Sequence, residues 1–377
     1  MPSPHQTSGS TSPGHAHATP SSQFRIGYVP YSADLSNPGD RRRFPAYAKA
    51  RGIPFEIARP DQDYDVVVLS EVADLGAWLD YRKGKLVFEL IDSYLAIPLS
   101  DPMQLLRGVA WYAKGRHSRL FLNFPGALER MCRHADAVVC TTEEQQRTIA
   151  PFCENIHIVL DMHDDLIKSV KTDYRAGTPV HLVWEGLPSN VYQVGTIASA
   201  LEELSRRHKI HLDIVTDVDM PHTIPWLGRV KTLDIARRLF DAVTVHPWEA
   251  ATWSDTITRC DIAVIPIDLG DPLTVGKPGN KLSLLWRAAM PVVTSATPAY
   301  LRMQRAAGSG ELACQSVSEW VTALDTLIGD ESARRTAGEK GHAYATQVMS
   351  TSALLNAWDQ VLASVGIDVP NLQRKAP

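Results

Sequence analysis

The stretch Asp271–Ser295, DPLTVGKPGNKLSLLWRAAMPVVTS, decides the fold of this chain. Just before it, Asp261–Ile267 (DIAVIPI) is a short, nearly unbroken apolar run, and its own end, Pro291–Ser295 (PVVTS), is another. Such runs read as strands covered on both faces by helices. Between them a loop with Gly270, Gly276, Pro278 and Gly279 enters a helix near Asn280 or Lys281, with Lys281–Ala289 preceding the second strand. Strand, glycine-bearing loop, helix and strand form the unit of a parallel α/β sheet, which binds ligands beyond its strands' carboxyl ends. Backbone N–H groups at a helix start favour a phosphate. Lys277 and Lys281 add two cations beside that point. A plain Gly/Pro loop with two solvated lysines is the alternative.

Working outward, the same rhythm fills the chain. Upstream runs are Arg25–Pro30, Pro54–Arg59, Val66–Ser70, Lys85–Ile91, Ala137–Thr141 and Ile156–Asp161, with helices expected at Asp40–Arg51 and Pro125–His134. After a polar linker, Ile167–Thr178, strands restart at Val180–Trp184, His211–Thr216 and Ala242–His246. Helices are expected at Val194–His208, where Ile197, Leu201 and Leu204 keep helical spacing, and at Asp255–Arg259, Glu331–Val348 and Ser352–Val365. The expected fold class is α/β, with two doubly wound parallel-sheet (Rossmann-like) domains. Residues 1–23 read as a disordered tail, 24–172 as the first domain, 173–348 as the second, and 349–377 as a C-terminal helix and tail.

Composition narrows the function classes. The 377 residues are 44% hydrophobic and 21% charged, enough apolar material for two cores without a disulfide or metal staple. The net charge of -4 supplies no chain-wide basic field, so nucleic acid is not an expected partner. Cys132, Cys140, Cys153, Cys260 and Cys314 are odd in number and lack CxxC spacing, which favours a reducing, cytoplasmic setting. No apolar run approaches the ~18–20 residues of a membrane span, and the N-terminus lacks the order of a secretory signal. No GxGxxG, GxxxxGK[ST], GxSxG or HExxH is present, which disfavours dinucleotide dehydrogenases, P-loop kinases, α/β-hydrolases and zinc peptidases. His5, His15 and His17 in the tail, and His163, Asp164 and Asp165, invite a metal reading, but no second ligand cluster supports one.

Lys277–Val293 (KPGNKLSLLWRAAMPVV) resembles the nucleotide-sugar signature of GT-B glycosyltransferases, specifically the group 1 or family 4 retaining enzymes. Cys260–Pro266, Val180–Asn190 (VHLVWEGLPSN), Arg133–Glu143 and Ile158–Asp164 resemble further elements of that family in its order, over residues 24–365. The resemblance implies GT-B architecture and transfer of a sugar from a nucleotide diphosphate donor to a hydroxyl, with retention and no obligatory metal. The donor would be a substrate, with no cofactor. The acceptor would be a glycan, a lipid-linked molecule or a small molecule. Two departures stand out. Leu284 occupies the position of the family's ribose-holding Glu, and Ala289 that of a Gly before "PVV". The Arg and Lys that many family members carry after the second domain's first strands are also not obvious here, and Leu284 with the missing Arg motivates the alternative of a drifted GT-B-like protein that binds a nucleotide sugar or glycan without transfer; a two-lobed small-ligand receptor is a third reading.

The donor set is then Gly186, Trp248, Asp271, Gly276, Lys277, Asn280 and Lys281, with Lys277 and Asp92 as catalytic candidates. Trp248 in HPWE offers a ring face for a base, or packs a domain seam. Gly186 permits close approach of backbone to phosphate, or simply turns the chain. Asp268 and Asp271 are the only acids near the family's first Glu. Asp92 in KLVFELIDSYLAIP stands where a family strand ends in "HD" and either orients an acceptor hydroxyl or caps a helix. Arg41, Arg42 and Arg43 either grip an anionic acceptor or a diphosphate or form a solvated helix start. Leu105–Phe124 mixes basic and aromatic residues, as a peripheral membrane contact does at the inner membrane face, and as a packed helix pair with snorkelling cations also does.

Overall fold

The computed structural model describes residues 24–97, 101–163, 165–222 and 228–369. The first sheet contains β1 (Ile26–Val29), β2 (Glu56–Ile57), β3 (Val66–Leu69), β4 (Lys85–Glu89), β5 (Ala137–Cys140) and β6 (Ile156–Ile158) in the order β2-β1-β3-β4-β5-β6. The second contains β7 (Val180–Glu185), β8 (Ile210–Thr216), β11 (Val243–Pro247), β12 (Ile262–Ile265), β13 (Val292–Ser295) and β14 (Ala313–Cys314) in the order β11-β8-β7-β12-β13-β14. Every pairing within these two sheets is parallel. A small antiparallel ribbon, β9 (Asp219–Pro221) with β10 (Arg229–Lys231), hangs beside the second sheet.

The strands are buried because both faces are covered. In β3, β5, β12 and β13 every residue is buried. One face of the second sheet packs with Leu201, Leu204 and Trp320, the other with Trp253, Leu282 and Trp286. The first sheet is likewise sandwiched between a cluster holding Phe44, Tyr47 and Trp358 and one holding Trp78, Phe124 and Met131. Both strand orders reverse direction once, between β1 and β3 and between β7 and β12. Those reversals open a crevice at the carboxyl edge of each sheet.

Two local readings differ from the structure. The helix expected over Asp40–Arg51 is two helices, Pro38–Arg42 and Phe44–Arg51. Pro45 favours a fresh helix start there, and Arg43 leaves helical backbone (φ -117°, ψ -132°) to bury its side chain. The helix expected from Val194 begins as 3-10 turns over Pro188–Ile197 and becomes α-helical only at Ala198–Ser205. The linker 167–178 lacks regular structure but is anchored: Lys171 Nζ donates to the carbonyls of Cys260 (2.8 Å) and Thr258 (3.1 Å), and Tyr174 is buried. The tail 1–23 with its three histidines, Pro98, Asp164 and residues 370–377 lie outside the described residues.

The helix Thr351–Ser364 crosses back to the first domain. Trp358 is fully buried there, stacked on Tyr47 (centroids 5.7 Å apart) and edge-on to Phe44. Trp358→Ala therefore opens a cavity in the first domain, at a cost of about 3–5 kcal/mol. Denaturant unfolding followed by circular dichroism is expected to show that loss; an unchanged midpoint would mean that the helix is no part of this core.

Candidate active site in the cleft between the sheets

The loops after β7 and β12 face the loops after β1, β3 and β4 across a cleft. Its walls enclose two adjoining cavities of 450 and 370 Å³. The first is lined from one side by Arg41 and Arg42 and from the other by Glu185, Trp248, Lys277 and Lys281. The second holds Asp92, Tyr94 and Arg107 on one side and Gln193, Asp271 and Lys277 on the other. Lys277 and Lys281 line both cavities. A wider groove of 760 Å³ lies on the far side of the second domain, between helices Val317–Gly329 and Glu331–Val348, and gathers none of the expected site residues.

The glycine-bearing loop is shaped by its own side chains. Asp271 caps the turn Pro272–Thr274 by accepting from the Leu273 N–H at 2.9 Å, and Asp268 accepts from the Gly270 N–H at 2.9 Å. The helix Asn280–Arg287 then starts at Gly279 with no side-chain cap. Its first N–H groups therefore have no capping oxygen from that residue, which is the arrangement an anion can satisfy.

Lys281 projects from the first turn of that helix to the floor of the cleft. Its Nζ donates to the Glu185 carbonyl and lies 5.1 Å from the centre of the Trp184 ring. Burial lowers its proton affinity; the Glu185 charge works against that, while Lys277 and Arg42 add to it. Gly186 is required by the same lysine. A Cβ there would lie 2.8 Å from Lys281 Nζ and 2.8 Å from the Trp184 ring. The glycine makes room for the cation, a different reason from the close phosphate approach read in the sequence.

Asn280 and Gly276 also join the domains. Asn280 Oδ1 accepts from the Asp161 N–H at 3.1 Å. Asp161 in turn takes Arg43 Nη1 at 2.8 Å, and Arg43 Nε donates to the fully buried Glu89 at 2.9 Å. A Cβ on Gly276 would fall 1.8 Å from Ser93 Oγ of the first domain, so no larger residue fits between the lobes there. Trp248 lies under the Arg41 guanidinium, 5.4 Å from the ring centre, across the cleft. Asp92 is exposed at the rim and accepts from Tyr94 Oη at 3.2 Å. Leu284 and Tyr300 line the inner wall of the larger cavity. Among the described residues, no group of three or more His, Cys, Asp or Glu side chains converges as a metal site would.

Sequence reading missed Glu71, two residues past β3. Its Oε2 accepts from the backbone N–H groups of Asp92 (2.9 Å) and Ile91 (3.1 Å), so it fixes the loop that carries Asp92. Burial first, and the Asp92 charge second, push the Glu71 carboxyl up to about 8. Its position just past a strand's carboxyl end was the available signal. Between an ordinary carboxylate value near 4.5 and about 8, the folded state holds a proton that the unfolded chain has released. Stability must then fall as pH rises through that window. Glu71→Gln is expected to flatten this dependence in denaturant titrations between these two pH limits; identical slopes in both proteins would contradict the assignment.

No family model matches the chain, and no curated protein matches it. Solved structures do. A glycosyltransferase from Rickettsia africae aligns with TM-score 0.54 at 9% identity over 92% of this chain and 99% of its own. WaaG, a glycosyltransferase involved in lipopolysaccharide biosynthesis, aligns with TM-score 0.54 at 12% identity over 89% and 99%. TarM aligns with TM-score 0.53 at 10% identity over 78% of this chain and 54% of TarM, so the chain spans about half of TarM's length. A mutant of Staphylococcus aureus TarM, solved with fondaparinux, alpha-GlcNAc-glycerol and UDP, aligns with TM-score 0.52. At these identities the likeness is one of fold: the chain has the two-domain, Rossmann-like architecture of GT-B glycosyltransferases.

Proposed function

We propose that this protein is a glycosyltransferase that moves a sugar from a nucleotide diphosphate donor to a hydroxyl acceptor, with retention and without an obligatory metal. The observation that carries the reading is Lys281. It is a half-buried ammonium on the cleft floor, beside Lys277 and at an uncapped helix start. As the bond between the sugar's anomeric carbon and the diphosphate breaks, negative charge gathers on the departing phosphate. Lys277, Lys281 and the helix N-terminus are already in place to receive it. They put in the protein's own side chains the positive charge that a divalent cation supplies in other enzymes. The acceptor oxygen bonds to the anomeric carbon as the sugar–phosphate bond breaks, and its proton passes to an oxygen of the departing diphosphate. Asp92 and Tyr94, in the adjoining cavity, are the groups on the first domain that can orient the acceptor oxygen. UDP and a GlcNAc-glycerol bound to the TarM mutant support a nucleotide-sugar donor and a glycan acceptor here. Trp248 and Asn280, both on the larger cavity, complete the proposed donor site with Gly186, Asp271 and Gly276.

Peripheral contact with an anionic membrane is part of the proposal. Helix Pro102–Ala113 and the segment after it expose Leu106, Val109, Tyr112, Leu120 and Leu122 beside the exposed cations Lys114 and Arg116. Among the described residues, no helix is long and apolar enough to cross a membrane.

A thermal-shift screen with UDP-, GDP-, ADP- and dTDP-sugars identifies the donor, because a ligand of the native state raises the melting point. Release of nucleoside diphosphate from that donor then measures turnover. Removing one cation that receives the leaving charge costs about 10²–10³-fold in turnover in comparable sites. Lys281→Ala and Lys277→Ala are expected in that range. Unchanged turnover in both variants would defeat the proposal, and tight binding with no release by the native protein would make it a binding module instead.

A further inference from the structure

Within the run Arg41–Arg42–Arg43 the three guanidinium groups have separate fates. Arg43 ends in the buried ion pairs with Glu89 and Asp161. Arg41 donates from Nε to the Ser36 carbonyl at 3.1 Å and covers the Trp248 ring. Arg42 is half-buried on the wall of the larger cavity, and its side chain makes no hydrogen bond, ion pair or ring contact with any described residue. Its backbone is fixed all the same: the Arg42 carbonyl accepts from the Met162 N–H at 2.8 Å. The group is held at the cleft by a short helix and left without a partner among the described residues.

Arg42 also faces like charge. Lys281 and Lys277 line the same cavity from the other domain, and the Arg42 charge is felt at Lys281. Neither lysine has an ion pair with a carboxylate among the described residues; Lys281 donates only to a carbonyl. Four cations, Arg41 and Arg42 from one domain and Lys277 and Lys281 from the other, thus line one space, against the carboxylates of Glu185 and Asp217. Such repulsion across a cleft is relieved by a multiply charged anion placed between them, and a planar guanidinium suits phosphate oxygens in pairs.

We propose that Arg42 is a ligand of the donor's diphosphate, delivered by the first domain, so that the diphosphate is gripped between Lys277 and Lys281 on one side and Arg42 on the other. This rests on the donor reading above and extends it: the diphosphate site is incomplete without the first domain.

The test is calorimetric titration of UDP, GDP, ADP, dTDP and inorganic pyrophosphate into the full chain at low and high salt. The proteins compared are the native chain, Arg42→Gln, Arg42→Lys and Lys49→Ala, the last removing an exposed charge elsewhere on the same domain. The expected result is binding of at least one nucleoside diphosphate by the native protein. Arg42→Gln then binds it tenfold or more weakly with a shallower salt dependence, Arg42→Lys falls between, and Lys49→Ala matches the native protein. Equal affinity and salt dependence in Arg42→Gln, with Lys281→Ala impaired, would overturn the role of Arg42 and leave the donor reading standing. Weakened binding with an unchanged salt dependence and a lowered melting temperature would also overturn it, as a packing effect. No binding of any of the five probes by the native chain would overturn both.

Discussion

An ammonium group sunk between an indole face and a backbone carbonyl is the constraint around which this cleft is organised. Taking Lys281 out of water is unfavourable, and the protein offsets part of that cost with the Trp184 ring, the Glu185 carbonyl and the nearby Glu185 charge. None of these is a salt bridge among the described residues. The charge is thus partly desolvated and incompletely compensated, a state that strengthens its attraction for an incoming anion. Gly186, the end of β7 and the start of helix Asn280–Arg287 all serve this one placement.

The second domain cannot hold that arrangement facing empty space. The chain Glu89–Arg43–Asp161–Asn280 runs from the core of the first sheet to the first turn of the helix that bears Lys281. Burial opposes the Arg43 charge, but Glu89 and Asp161 outweigh it, and the guanidinium stays charged. Arg302 on helix Pro298–Ala306 pairs with Glu144 of the first domain at 2.8 Å, and Ser93 abuts Gly276. The returning helix Thr351–Ser364 adds a covalent route back to the first core. Together these contacts set the distance between the lysines and the first domain's loops.

Much of the fold was legible in the sequence because a strand buried on both faces has few ways to be written. Runs such as VVVL, AVVC and IAVI left no alternative consistent with their length and flanking turns. The ribbon β9–β10 and the two-residue strand β14 were missed because short exposed or edge pieces carry no apolar period. The split at Arg43 was hidden because a charge run normally faces water, and nothing local says that the middle of a helix will turn inward to meet Glu89. In the cleft, the lysines were found from loop chemistry alone. Glu71 was not, since its meaning depends on two N–H groups about twenty residues further along the chain. Gly276 and Asn280, read as donor-site residues, also contact the first domain, which a loop read by itself does not reveal.

The central claim is that the half-buried ammonium of Lys281 marks the seat of a diphosphate. A crystal structure of the protein with a bound nucleoside diphosphate tests it most directly. The account predicts a phosphate oxygen within hydrogen-bond distance of Lys281 Nζ, in line with the first N–H groups of helix Asn280–Arg287. Phosphates seated elsewhere, with Lys281 still held only by the Glu185 carbonyl, would contradict it.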